Sequence, residues 1–277
     1  MPEQRYTLDD LMTLMRVLRD EQHGCPWDVE QSWDTIVPHT LEEAYEVADA
    51  IERRAYDELP KELGDLLFQV VYYAQFAQEE GRFDLYDVIH VLTAKMVARH
   101  PHVFPDGHLG SRREGTPARE LTQADVSRMW EMRKRNERDE RTVDSARASQ
   151  LDDIPVGLPA LSRSQKLSKR AAQVGFDWPD YHGVVEKVHE ELAEVEEAIA
   201  HNDAAAIKDE LGDLLFITAS LCRHFGINAE DALRQGNRKF ERRFRSMEPA
   251  LNAEDSRDPE RLDQLWAAAK VRIDAEG

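Results

Sequence analysis

The feature that most constrains this 277-residue chain is a stretch that it contains twice. Glu42, Glu43 and Glu46 precede Glu-Leu-Gly-Asp-Leu-Leu-Phe at 62–68, and Glu190, Glu191 and Glu194 precede the same seven residues at 210–216. Every acid of the second copy lies 148 positions after its counterpart, so the gap between the two acidic groups is the same in both. On a helix, residues three apart share a face, which pairs Glu43 with Glu46 and Glu62 with Asp65. Apolar residues recur at helical intervals around each group (Leu41, Tyr45 and Ala48; Leu63, Leu66 and Leu67), which predicts a helical hairpin with its carboxylates turned towards the seam. Gly64 is expected to let the two backbones approach closely.

Four carboxylates converging between helices repel one another and are costly to desolvate. Shared hard divalent cations reverse that balance, and Mg²⁺ prefers a few carboxylates together with phosphate oxygens. A single acidic run in so charged a chain reads as a solvated face. Two copies in fixed register, each with an identical heptapeptide, read as a duplicated metal-and-phosphate site.

The formal charge of −19 excludes an ordinary nucleic-acid-binding surface, which needs basic patches. It is compatible with an anionic ligand whose charge is met by metal ions. Cys25 and Cys222 are far apart and fit reduced thiols in a cytoplasmic protein. The N-terminus has no apolar signal core, and the longest apolar run, residues 66–77, is broken by Gln69 and Gln75, so no membrane partner is expected.

Along the chain, Thr7 and Asp10 predict a capping box that opens a helix to about Asp20. The stretch from Gln22 to Asp28, Gln-His-Gly-Cys-Pro-Trp-Asp, reads as a loop. The first acidic group falls in a helix expected to be interrupted near Pro38, and Asp57 is expected to cap the next helix, ending near Glu80. Asp84 caps another helix, closed by His100-Pro101-His102, and Thr122 a further one. Residues 141–157 read as a linker, after which the pattern returns: Arg170 to Trp178 repeats Arg19 to Trp27. A turn is expected near Asn202, and Asp258-Pro259 opens a last helix. No alternating strand pattern appears. The fold class is therefore all-α, with one helical domain at 1–140 and a similar one at 158–277.

Each half also carries Lys-x-x-x-Arg (Lys95/Arg99 and Lys239/Arg243), a spacing that places two cations on one helical face as a phosphate clamp requires. Each ends in Trp-x-x-x-Lys (Trp130/Lys134 and Trp266/Lys270), suited to stacking on a base with an ammonium near phosphate. Salt-bridged surface and core packing are the plainer readings of these pairs. Glu186 and His189 have the spacing of a di-iron ligand pair, but the matching stretch of the first copy, 38–41, is Pro-His-Thr-Leu.

Together the two acidic hairpins, Gly-Cys-Pro-Trp-Asp at 24–28, Arg-His-Pro-His-Val-Phe at 99–104, Gly-Phe-Asp-Trp at 175–178 and Lys-Phe-Glu-Arg-Arg-Phe at 239–244 resemble the MazG family of nucleoside triphosphate pyrophosphohydrolases, within the all-α NTP pyrophosphatase superfamily. The resemblance implies Mg²⁺-dependent hydrolysis of nucleoside triphosphates to monophosphate and pyrophosphate, broad base tolerance and a homodimer. It implies that Glu191, Glu194, Glu210 and Asp213 hold metal, with Glu43, Glu46, Glu62 and Asp65 as a second set. Glu190 would orient or deprotonate the attacking water, Lys187, Lys239 and Arg243 would neutralise phosphate, and Trp266 would contact the nucleoside, with Glu190, Glu191 and Asp213 also at the substrate. In such two-domain proteins the C-terminal copy is usually the principal catalyst. The residues point the same way, since Lys187 stands one turn before Glu191 where the first copy has the weaker cation His39. Two alternatives stay open: a non-catalytic nucleotide-sensing or dimerisation protein, and a pyrophosphohydrolase restricted to modified or deoxy nucleotides.

Overall fold

In the computed structural model, residues 5–112, 122, 125, 126, 128–130, 132, 133, 149–251 and 258–275 are described. The chain divides into two compact units, Met1–Arg141 and Thr142–Gly277. All regular structure among the described residues is helical.

In the first unit α1 (Leu8–Leu18) is opened by the expected capping box, in which the Thr7 side chain accepts from the Asp10 amide and Asp10 accepts from Thr7. The following loop holds Gly24 because no larger residue fits: a Cβ there would lie 2.4 Å from the Leu18 carbonyl oxygen. Part of the expected loop is helical instead. Pro26 stands in the first turn of the short α2 (Pro26–Glu30), where its missing N–H costs nothing.

Helix α3 (Trp33–Glu52) runs through Pro38 without the expected interruption. Proline in a helix interior costs about 3 kcal/mol. Here it lies early in the helix, downstream of a Ser32–Thr35 cap, and the turn before it buries Ile36 completely. Helix α4 (Leu59–Glu79) starts after Glu58, with Pro60 in its first turn and no side-chain cap, so Asp57 is not the cap that the sequence suggested. Gly81 (φ 68°) ends it, and Asp84 caps α5 (Leu85–Arg99).

The core of this unit joins α1, α3, α4 and α5 through Met15, Ile36, Val71, Tyr72, Phe76 and Leu85. Trp33 stacks on Tyr73 at 5.8 Å, and Thr40 Oγ1 and Tyr73 Oη lie 2.8 Å apart across the α3–α4 seam. Arg19 fastens the Cys-Pro-Trp-Asp segment to the end of α4: it donates to both Glu79 carboxylate oxygens and to the carbonyls of Asp28 and Gln31, while its guanidinium lies 4.4 Å over Phe76.

The second unit repeats the plan. Residues 141–148 of the expected linker lie outside the described residues. From 149 the chain turns, buries Ile154 and enters α6 (Ala160–Ala172). Helices α7 (Tyr181–Ala200) and α8 (Ala204–His224) form the second hairpin, and α9 (Ala229–Met247) packs against α10 (Pro259–Ala275). Asp258 Oδ1 accepts from two amides at the start of α10, the cap that Asp-Pro announces. Arg223 holds Asp177 through two hydrogen bonds of 2.6 and 2.9 Å and Ser168 through a third, the counterpart of the clamp around Arg19.

Both hairpin turns use one device. Each first helix ends in a Schellman motif, closed by the Ala55 amide on the Ala50 carbonyl and by the Asp203 amide on the Ala198 carbonyl. The residue in left-handed backbone is Arg54 (φ 59°) in one and Asn202 (φ 53°) in the other, again 148 positions apart.

Candidate metal and nucleotide site

In the first hairpin, carboxylate oxygens of Glu43 on α3 and of Glu62 and Asp65 on α4 all lie within 4.8 Å of one another. In the second, Glu191 and Glu194 on α7 and Glu210 on α8 do the same. The spacing argument thus brings together three of four predicted ligands in each copy, but not the same three. Glu46 and Asp213 are both exposed and stand outside these trios. Glu46 is still tied to the first by a hydrogen bond with Glu62.

The carboxylates converge for a different reason from the one expected. Leu41, Tyr45, Leu63 and Leu67 do not flank the seam; each is between 42% and 48% exposed. A Cβ on Gly64 or on Gly212 would meet nothing within 4 Å, so neither glycine marks a close approach of backbones. Buried Glu62, Gln69, Tyr72 and Phe76 follow one another at steps of seven, three and four residues along α4 and define its inner stripe. The first acid therefore continues the core stripe outward, and the leucines beside it form a separate exposed face.

Mutual repulsion shows in the protonation equilibria. Burial, then the nearby Asp65, Glu42 and Glu62, push the Glu43 carboxyl above its ordinary range. The hydrogen bond with Glu62 pushes Glu46 up, and burial followed by Glu191 and Glu210 does so for Glu194, against the opposing pull of Lys187. Lysines offset part of this charge. Lys187 Nζ lies 2.7 Å from Glu190 Oε1 and 2.9 Å from Glu191 Oε1, and the two hydrogen bonds raise its own pKa. His39 occupies the matching position, with Nδ1 3.8 Å from Glu42. In the first hairpin the lysine comes from α4 instead: Lys61 Nζ lies 3.3 Å from both Glu62 oxygens and 3.6 Å from Asp65. Lys61 was missed in the sequence because it stands just outside the repeated heptapeptide.

Divalent metal suits the second trio. Glu191 is 5% exposed, and its Oε2 is buried without a hydrogen-bond partner. A lone carboxylate oxygen in that state is costly, and an oxygen-only donor set with one buried anionic oxygen turned to its neighbours fits a hard cation.

The remaining predicted residues gather around other helices. Trp266 packs on Phe240 (5.2 Å) and joins a cluster with Met247, Leu265 and Ala269. Among the described residues no ion pair links Lys239 to the four acids. In the first unit Arg99 lies 5.7 Å over Trp130, and His100 meets the same ring edge-on at 5.2 Å. His100 caps the end of α5 and its Nδ1 lies 2.6 Å from the Met96 carbonyl oxygen, a helix-ending role. Lys134 lies outside the described residues.

The profile of the MazG nucleotide pyrophosphohydrolase domain matches residues 31–104 and 180–247, which hold both acidic hairpins. The chain is 48% identical to the nucleoside triphosphate pyrophosphohydrolase of Escherichia coli K12 over 269 residues, covering 95% of this chain and 97% of that protein. The chain belongs to the MazG family. It is also 37% identical to the Thermotoga maritima nucleoside triphosphate pyrophosphohydrolase/pyrophosphatase MazG over 98% of both chains. With the Mycobacterium tuberculosis nucleoside triphosphate pyrophosphohydrolase it shares 34% identity over 61% of this chain and 46% of that one. Trp130 and Trp266 lie outside both matched segments, whereas Lys95, Arg99, Lys239 and Arg243 lie within them.

Proposed function

We propose that this MazG protein is a nucleoside triphosphate pyrophosphohydrolase that releases nucleoside monophosphate and pyrophosphate, with the second hairpin as its main catalytic site. The observation that carries the reading is the trio of Glu191, Glu194 and Glu210 with its orphaned buried oxygen, bordered by Lys187. Asp213 is assigned to the same site on its register one turn after Glu210. When bound there, Mg²⁺ supplies charge neutralisation on phosphate oxygens and a more acidic water.

The side chains have separable tasks. Lys187 is kept protonated by two carboxylates and offers donors to a phosphate that approaches its exposed edge. Glu190 is largely exposed and fixed by Lys187 at 2.7 Å, so it can take a proton from water as the water oxygen bonds to the α-phosphorus. The bond from that phosphorus to the bridging oxygen breaks, and pyrophosphate leaves. Lys239 and Arg243 are assigned to the phosphate chain and Trp266 to the nucleoside, with broad base tolerance expected.

The functional unit is assigned as a homodimer. Leu41, Leu63 and Leu67 in one unit, and Leu192, Leu211 and Leu215 in the other, expose apolar faces beside the acids that a second chain would cover. A cytoplasmic setting agrees with two free cysteines, and no helix among the described residues is long and apolar enough to cross a membrane.

The test compares products from wild type, E43A/E46A and E191A/E194A with excess Mg²⁺ and several nucleoside triphosphates. Pyrophosphate release that survives the first pair of changes and is lost with the second supports the reading. Orthophosphate as the first product, or no turnover in wild type, overturns it.

A further inference from the structure

We propose that Lys61 is a resident counter-ion of the first acidic hairpin, so that the two hairpins of one chain load divalent cations in sequence, the second before the first. The inference rests on the reading of both hairpins as cation sites, and it concerns their order of filling.

The two trios differ in what their lysine occupies. Lys61 touches both oxygens of Glu62 and stands beside Asp65, so one ammonium bridges two of the three carboxylates a cation would use. Lys187 touches only Glu191 among the second trio, through Oε1, and spends its other contact on Glu190 outside it. Glu191 Oε2 is left buried and without a hydrogen bond. The sequence carries the same contrast at two places: the residue matching Lys61 is Asp209, and the residue matching Lys187 is His39. A cation entering the first trio must displace an ammonium already there, and its site gains nothing from position 61. A cation entering the second meets an oxygen without a hydrogen bond, and position 209 brings an aspartate rather than an ammonium.

The side chain of Lys61 is 71% exposed, so it can swing into water and its pairing is screened. The expected separation of the two affinities is therefore about tenfold, rather than the thousandfold of a buried pair.

Mn²⁺ alone, titrated into the full chain at fixed ionic strength and followed by the spin-resonance signal of the free ion, tests this. Wild type should show two classes of site, and E191A/E194A should remove the tighter one. K61D should tighten the weaker class by about tenfold, K61A should tighten it less, and D209K should weaken the tighter class. Two equal sites in wild type, or a weaker class indifferent to K61D, would overturn the proposal. If K61D does not melt cooperatively, K61A and D209K decide. Two cation classes without pyrophosphate release would retire the hydrolase reading and leave this one standing, whereas turnover with two equal classes would do the reverse.

Discussion

Glu191 shows how far a single residue can be read before any coordinates. Its spacing from Glu194 and from the heptapeptide identifies it as a ligand candidate, yet nothing local distinguishes it from Glu190. Burial makes the difference: Glu191 is 5% exposed, whereas the Glu190 side chain is 59% exposed. Lys61 was illegible for the same reason, because a lysine beside a motif gains meaning only when the fold aims it back at Glu62 and Asp65. Replacing the buried carboxylate tests its role. E191Q should keep the shape, lose the anionic charge and reduce pyrophosphate release by about 100-fold or more, with a smaller Mg²⁺-induced gain in Tm that leaves the share of the first hairpin. An unchanged Mg²⁺ gain would remove Glu191 from the ligand set. Protonation gives a second check. Glu43, Glu46 and Glu194 all titrate above the ordinary carboxylate value of 4.5 in the folded chain. Between that value and their raised ones the folded state holds more protons than the unfolded one. Their contribution to stability therefore falls as pH rises through that window. Cations need the same groups ionised, so the Tm gain from Mg²⁺ should be larger at about pH 7.5 than at about pH 5. Equal gains by calorimetry at the two pH values would argue that these acids do not hold the metal.

At the scale of elements, periodicity and capping made most helices legible. Thr7, Asp84 and Asp258 mark helix starts that the structure retains, because each supplies a side-chain oxygen to orphaned amides. Proline misled twice. Pro38 reads as a break and Pro26 as loop, but one sits early in a well-anchored helix and the other in a first turn, where proline is tolerated. The hairpin turns give a sharper comparison, since two copies solve one geometric problem with different residues. Left-handed backbone costs about 1–2 kcal/mol for an ordinary side chain and less for asparagine, whose short amide bonds locally. Arg54 carries that cost at the position Asn202 relieves. R54N should raise Tm, by an amount equivalent to about 0.5–1 kcal/mol, whereas N202A should lower it by a similar amount. Arg54 has no role in the acidic trio, so R54N should leave turnover unchanged. A fall in Tm for R54N would mean that its side chain makes contacts that outweigh the backbone strain.

For the whole molecule, the duplication was the most legible fact, and what each copy does with its surface was the least. By spacing alone the rows of leucines beside the acids read as seam residues, because helical periodicity cannot tell a face that meets a neighbouring helix from one left exposed. Exposure separates them: Leu63 and Leu67, and Leu211 and Leu215, stay 42–58% exposed within a single chain. With about half of each side chain still in water, the four leucines forgo roughly 0.7–1.5 kcal/mol apiece that a partner burying them completely would supply. A chain with a net charge of −19 would not gather identical acidic hairpins across an interface on charge alone, so in the proposed homodimer an apolar face would carry the association. L211E/L215E should therefore shift the mass measured by light scattering from dimer towards monomer, with L63E/L67E acting in the same direction on the other face. Higher salt should strengthen the wild-type dimer, because screening relieves the repulsion between two acidic chains while leaving the apolar contact intact. A wild-type chain that is monomeric at every salt concentration would assign these leucines to some other partner.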